Sequence, residues 1–168
     1  LLALPWFGVT VLMAGIGIAR LRRDRLRRDF DGICRDVALV YSFIGGVWVL
    51  ADRSGVRPLG FAPAIVTLTA VHFHYAGLLL PVFAGLVQRE VFFWRMASRA
   101  AIGVILGVPA VAVGITFNQL GWGTSVEAAA GCGLALAGMA VAILHVRIGL
   151  DARRTWLTRS AGPFRTRA

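Results

Sequence analysis

The sequence contains no lysine and is poor in charged residues of any kind. Only 15% of its 168 residues are charged, against roughly 25% in soluble domains, and its mean hydropathy is +0.74. The apolar residues, 58% of the chain, gather in runs of about 20, the length at which a helix crosses a bilayer. These values exclude an ordinary soluble domain, and we predict an all-α, polytopic transmembrane helix bundle.

The sequence also lacks the motifs of several common functional sites. The only two cysteines, Cys34 and Cys132, are predicted to lie near opposite faces of the membrane, so neither a disulfide nor a zinc-type spacing is indicated. The sequence has no nucleotide-binding loop, nucleophile elbow or H-E-x-x-H motif. It therefore favours a protein that is not an enzyme and leaves only intramembrane catalysis open.

Five apolar runs organise the chain into one transmembrane domain, residues 1–150. We predict spans at about 1–19, 32–51, 61–87, 101–117 and 126–148. A basic, loosely ordered tail at 151–168 is expected to follow.

Pro81 predicts a kink or break just before it, and Gly103 with Gly107 forms a G-x-x-x-G pair that favours close helix packing. The chain starts inside an apolar run without methionine, which we interpret as the C-terminal part of a longer protein.

Every second loop between the predicted spans is rich in arginine. The net charge of +10, from 18 arginines against eight acids, would suit nucleic acid, but the arginines lie between the apolar runs. They concentrate at 20–31, at 88–100 and in the tail, whereas the other loops hold only Arg53 and Arg57. The positive-inside bias then places the N-terminus outside and the C-terminus in the cytoplasm. The predicted partners are the bilayer, anionic lipid head groups at the basic loops, and further helices or a second copy, with no nucleic acid.

The third span carries a histidine motif. His72 and His74 lie in the middle of this run, where ionisable groups suggest function. On an α-helix, positions i and i+2 point about 200° apart, so the two rings cannot hold one metal together. We take His72, His74 and Tyr75 as candidate ligand-binding residues, with Asp36 as a partner.

In the structural alternative, each histidine only joins neighbouring helices by a hydrogen bond. Its candidate partners are Tyr41, Ser42, Asp36 and Asn118. Arg35 and Asp36 together are interpreted as a pair that reaches the membrane surface. Trp6, Glu127 and His145 are interpreted as residues at the membrane interface.

Two resemblances follow from these residues. The string His72-Phe73-His74-Tyr75 is similar to the histidine pair of haem-copper oxidases, where each histidine ligates a different haem. This resemblance implies haem or a metal at His72 and His74, a redox alternative, although the chain lacks the histidines of the copper site and we predict no cofactor.

The wider resemblance is to the YndJ-like family of bacterial membrane proteins. It rests on Ile33-Cys34-Arg35-Asp36, Gly45-Gly46-Val47-Trp48, Gly60-Phe61 and the decapeptide from Leu68 to Gly77. It implies a polytopic protein of a bacterial inner membrane, sometimes labelled a transporter, without established catalytic residues. Our leading hypothesis is a transporter-like or small-ligand-binding protein, and the third alternative is a structural or partner-anchoring protein.

Overall fold

The computed structural model describes residues 3–23, 29–89 and 94–160, with the backbone alone for 154–160. Within these ranges it contains no strand and five long helices, each long and apolar enough to cross a membrane. They are α1 (Ala3–Arg23), α2 (Phe30–Ser54), α3 (Pro63–Arg89), α4 (Trp94–Gln119) and α5 (Ser125–Ser160). The predicted all-α transmembrane bundle is confirmed.

The last helix is longer than the sequence suggested. α5 continues through Ser160 and so includes 151–160 of the predicted tail, while 161–168 lie outside the described residues; the loose order of the tail stays a prediction. The arginine-rich loop at 24–28 and the segment 90–93 also fall outside them. The bounds of the basic loops are therefore known only from their flanking helices.

Local sequence explains the turn between α2 and α3. Gly55 ends α2 in the left-handed conformation, with φ of 71°, and its N–H bonds the carbonyl oxygens of the last helical turn. Pro63 opens α3 at a position where no backbone donor is needed. The chain thus reverses direction within a few residues and brings α3 alongside α2.

Glycines bring α2 close to both of its neighbours. A Cβ atom placed on Gly46 would collide with the side chain of Thr10 in α1. On the α3 side, a Cβ atom on Gly45 would lie 2.6 Å from the His74 ring, and one on Gly77 would lie 3.0 Å from Cβ of Tyr41. The two helices are therefore antiparallel and in close register at the histidine motif.

α4 and α5 form the other close pair. Cβ atoms on Gly103 and Gly107 would lie 2.8 Å and 3.1 Å from Ala137 and Leu134 of α5. This contact confirms the predicted packing role of the G-x-x-x-G pair. A buried cluster then joins this pair to α2 and α3. Its members are Cys34, Ala84, Ala100, Ala101, Val104 and Val141.

Large apolar side chains point away from the bundle. Leu12, Leu106 and Leu136 are 69%, 63% and 66% exposed, which would be costly in water but suits contact with lipid chains. Small residues inside and large apolar residues outside are what a membrane bundle requires.

Candidate ligand-binding site

The histidine motif lies on an irregular stretch of α3. Residues Phe73–Leu79 form a π-helix between two α-helical stretches. The N–H of Leu80 bonds the carbonyl oxygen of Tyr75, five residues back, and Pro81 has no N–H to offer the next carbonyl. The break expected before Pro81 is therefore present, in a form that occurs frequently at functional sites.

The two histidines face different helices, as their spacing predicts. His72 donates from Nε2 to the carbonyl oxygen of Val108 in α4, at 3.0 Å. His74 instead lies against α1 and α2, where Trp6 and Gly45 contact its ring. The motif therefore contains two separate sites, one on each side of α3.

The His72 side is a structural junction. Pro109 in α4 lacks an N–H, so the carbonyl of Ile105 loses its usual partner, and the Tyr41 hydroxyl donates to that oxygen at 2.7 Å. Nε2 of His72 donates to the carbonyl oxygen of Val108, three residues further along α4. Side chains of α2 and α3 thus hold α4 at its proline, as the structural alternative expects for His72.

The His74 ring has both nitrogens engaged. A carbonyl oxygen only accepts, so Nδ1 carries the proton that it shares with Ala70 at 2.7 Å. Nε2 of the neutral ring is then an acceptor, and Nε1 of Trp6 donates to it at 2.9 Å. The Trp6 and His74 rings are 5.5 Å apart and tilted by 31°. Together with the close approach of Gly45, these contacts fix the orientation of the imidazole.

A groove runs from this ring to the end of α2, and we call it the His74 groove. Its volume is about 420 Å³, within the range of small-molecule sites. It is lined by Trp6, Val49, Asp52, Arg53, Thr67, Ala70, Val71, His74, Tyr75 and Leu79. Most of its wall area is apolar, and its polar side chains lie in two places, Asp52, Arg53 and Thr67 at one end and His74 with Tyr75 further along.

Polar groups cluster at the mouth of the groove. The Thr67 hydroxyl donates to Oδ1 of Asp52 at 2.7 Å, and Nε of Arg53 lies 3.4 Å from Oδ2. The Arg53 side chain is 72% exposed, so most of its guanidinium faces outward. Tyr75, 66% exposed, lies deeper in the same groove.

Asp36 is placed elsewhere. It lies nine residues before Gly45 on α2, about 13.5 Å along the axis, and pairs with Arg20 of α1 at 3.8 Å. It is only 6% exposed within the bundle, and its position near the membrane surface stays a prediction. The structure brings together His74 and Tyr75 but not Asp36.

The other predicted partners of the histidines also bond elsewhere. Tyr41 donates to Ile105, Ser42 to the carbonyl oxygen of Leu39, and Asn118 to Glu127 at 2.6 Å. The partners that do occur are two backbone carbonyls and an indole. Backbone acceptors carry no sequence signal, which is why this pairing was missed.

The groove residues of α1 and α2 were missed for a related reason. Trp6 was interpreted as an interface anchor, and Asp52, Arg53 and Thr67 as part of a turn and an apolar run. Their polar types in apolar surroundings were a weak signal, but only the antiparallel register of α2 and α3 brings them to one groove.

Either histidine would give up a hydrogen bond if its Nε2 were to ligate a metal or haem. Among the residues that the structure describes, no three His, Cys, Asp or Glu side chains converge on one point. Ligation through Nε2 of His74 would break its bond to Trp6, and ligation through Nε2 of His72 would break its bond to Val108.

The fold and the groove define a polytopic α-helical membrane protein with a site of ligand size beside its third helix. Comparison with known proteins agrees. The sequence model of the family described as YndJ-like protein matches residues 1–162, and the chain belongs to this family, as its resemblance implied.

One curated relative is the uncharacterized membrane protein YndJ of Bacillus subtilis (strain 168), 36% identical over 118 residues. The alignment covers 70% of this chain and 21% of the relative, so the chain spans about a fifth of that protein's length. No solved structure matches the chain.

Proposed function

We propose that the protein is a transporter-like, small-ligand-binding protein of a bacterial inner membrane, with its N-terminus outside and its C-terminus in the cytoplasm. The observation that carries the proposal is the His74 groove, an apolar cleft of about 420 Å³ walled on one side by a π-helical segment. A regular α-helix satisfies its backbone hydrogen bonds within itself and is sufficient to cross a bilayer. The π-helical segment therefore suggests a purpose other than crossing, such as shaping a binding site.

Two polar side chains would meet a ligand within the groove. His74 is held rigidly by Trp6 and Ala70, so it presents a fixed ring face, as binding sites require. Tyr75 is largely exposed, and its hydroxyl can both donate and accept a hydrogen bond.

Loop charge supports the orientation. α1 ends in Arg20, Arg22 and Arg23, whereas the opposite end, next to the groove mouth, has Arg53 in the last turn of α2 and Arg57 in the connection to α3. The positive-inside bias favours the end with more arginines as cytoplasmic. The groove then opens toward the outside.

Thermal unfolding of the purified full chain with a panel of probes tests the proposal. The panel holds amino acids, quaternary ammonium compounds and short-chain phospholipids. A probe at 100 times its Kd stabilises a protein by about 2.7 kcal/mol, which raises the Tm of a chain of this size by about 5–10 °C. We expect such a shift in the native protein and its loss in His74→Ala.

Two further variants complete the test. Tyr75→Phe removes only an exposed hydroxyl, so it should fold normally and still weaken the response. His145→Ala is the matched control, because His145 is also half-buried but lies outside the groove. Equal probe responses in the native protein, His74→Ala and Tyr75→Phe would contradict the proposal.

A structural or partner-anchoring function is the second candidate. It is favoured by the bond from His72 to Val108, which joins α3 to α4 without lining the groove. If His74→Ala and His72→Ala lower membrane accumulation equally and no probe raises the Tm, this candidate replaces the first.

A further inference from the structure

The length of the groove is close to the thickness of one lipid leaflet. Its α3 wall extends from Thr67 to Leu79, somewhat less than the roughly 18 Å that an α-helix would span at 1.5 Å per residue, because Phe73–Leu79 is π-helical. Half of a typical hydrocarbon core is about 15 Å. The groove therefore matches the depth of a single acyl chain far better than the size of a compact solute.

The polarity of the wall is graded along this length. Asp52, Arg53 and Thr67 lie together at one end. Beyond them the wall is mainly Trp6, Val49, Ala70, Val71 and Leu79, the nitrogens of His74 are already bonded within the protein, and the Tyr75 hydroxyl is the remaining polar group of the wall. Such a wall fits a molecule with one polar end and an apolar remainder.

The groove is also open at its side. Val71, Tyr75 and Leu79 are 46%, 66% and 42% exposed, and all three line it. These side chains face the region that lipid chains fill in a membrane. An occupant can therefore enter sideways from the bilayer without passing the polar mouth.

The charges at the mouth select the head group. Arg53 offers a largely exposed guanidinium, which binds phosphate oxygens in pairs. The neighbouring Asp52 carboxylate, with 20% of its side chain exposed, attracts an ammonium group and repels a second anion. Because Arg53 approaches Asp52 through Nε, the outer part of its exposed guanidinium faces away from the carboxylate, and a zwitterionic head group would add a phosphate there and an ammonium beside Asp52.

We propose that the His74 groove binds a phospholipid with an ammonium-bearing head group, such as a phosphatidylethanolamine. Its phosphate meets Arg53, its ammonium meets Asp52, and one acyl chain lies along α3 toward Leu79. This inference rests on the proposed function, since it names the ligand class of the same groove.

Native mass spectrometry of the purified full chain tests this inference. The probes are phosphatidylethanolamine and phosphatidylglycerol, offered at equal concentration. We expect one phosphatidylethanolamine to be retained, with phosphatidylglycerol bound at least fivefold less. Arg53→Gln should lower the bound fraction of phosphatidylethanolamine at least fivefold, whereas the control Arg57→Gln, on the adjacent loop outside the groove, should leave it unchanged.

A second matched pair tests the acyl-chain path. Val71→Trp fills the groove and should also lower retention at least fivefold, while Leu68→Trp places the same ring on an exposed position of α3 that does not line it. Equal retention in either pair, or equal binding of phosphatidylglycerol, would overturn the inference. Displacement of the lipid by millimolar glycerophosphoethanolamine would overturn it too, since a free head group would then suffice.

The two proposals fail differently. If an amino acid or quaternary amine raises the Tm through His74 while no lipid is retained, the proposed function stands and the lipid inference falls. If Arg53 controls lipid retention but His74→Ala and Tyr75→Phe change no probe response, the lipid inference stands and the role of those residues falls.

Discussion

Glycines mediate the close contacts in both halves of the bundle, but they meet different partners. In α4, Gly103, Gly107 and Gly114 face small or apolar side chains and the backbone of α5. In α2, Gly45 and Gly46 instead face the polar side chains of His74 and Thr10.

This difference separates rigid packing from adjustable packing. At Gly114 the neighbouring atoms belong to the backbone of α5, which cannot rotate away, so a larger residue there must separate the two helices. At Gly45 and Gly46 the neighbouring atoms belong to side chains, which can rotate without moving a helix, although for His74 such a rotation would break its hydrogen bonds to Ala70 and Trp6. The contacts at Gly45 and Gly46 can therefore relax without separating the helices, unlike the contact of Gly17 with the backbone carbonyl of Asp36, and the following predictions probe this difference.

The largest effect is expected for Gly114→Ala. Its Cβ atom would lie 2.5 Å from Cα of Glu127 and 2.7 Å from its backbone nitrogen, so the helices must separate. We expect a loss of about 3 kcal/mol in the free energy of unfolding, measured by titrating the micelle-bound protein with a denaturing detergent. Gly131→Ala, with nothing within 4 Å of its Cβ, is the control and should be neutral or slightly stabilising.

A smaller loss is expected for Gly45→Ala. The new Cβ would lie 2.6 Å from Nδ1 of His74, and the ring can rotate away only by giving up its bonds to Ala70 and Trp6, so we expect about 2 kcal/mol in the same titration. Gly8→Ala in α1 has open space around its Cβ and serves as the control. If Gly45→Ala costs as much as Gly114→Ala, the distinction between adjustable and rigid packing is wrong.

Next in size is the effect of Tyr41→Phe. The substitution leaves the Ile105 carbonyl without the hydroxyl that bonds it, at a cost of about 1 kcal/mol in unfolding free energy. In a Pro109→Ala background the new N–H supplies that bond, so Tyr41→Phe should cost much less. Additive effects of the two substitutions would show that Tyr41 does not compensate for the proline.

The smallest effect is expected for the bond between Trp6 and His74. A double-mutant cycle with Trp6→Phe and His74→Ala should give a coupling free energy of about 0.6 kcal/mol, the average for side-chain hydrogen bonds measured in a membrane bundle. Both single variants keep the helices apolar, so both should insert. A coupling near zero would mean that this bond does not hold α1 to α3.

Periodicity and loop charge were sufficient to predict the class of fold. The five helices, the close packing at Gly103 and Gly107, and the opposite directions of His72 and His74 all follow from run length or residue spacing. The break before Pro81 was also predicted, because a missing N–H is a local property. Nothing local fixes its π-helical form, since that depends on which carbonyl Leu80 reaches.

The site was predicted only in part. His74 and Tyr75 do share a groove, because they are neighbours on one helix. Trp6, Asp52 and Thr67 reach it through the packing of three helices, and Asp36 misses it through the same packing. His72 is taken up by a backbone carbonyl in α4, a partner that residue types cannot reveal.

The proline of α4 also constrains which substitutions relatives of this protein can accept. Pro109 creates an acceptor inside the bundle and Tyr41 supplies the donor, although the two residues belong to different helices. A lineage that loses the tyrosine first leaves an unpaired carbonyl in an apolar interior, while one that loses the proline first leaves the hydroxyl without its acceptor. The two positions behave as one unit, and relatives that carry the proline are expected to keep a donor at the position of Tyr41.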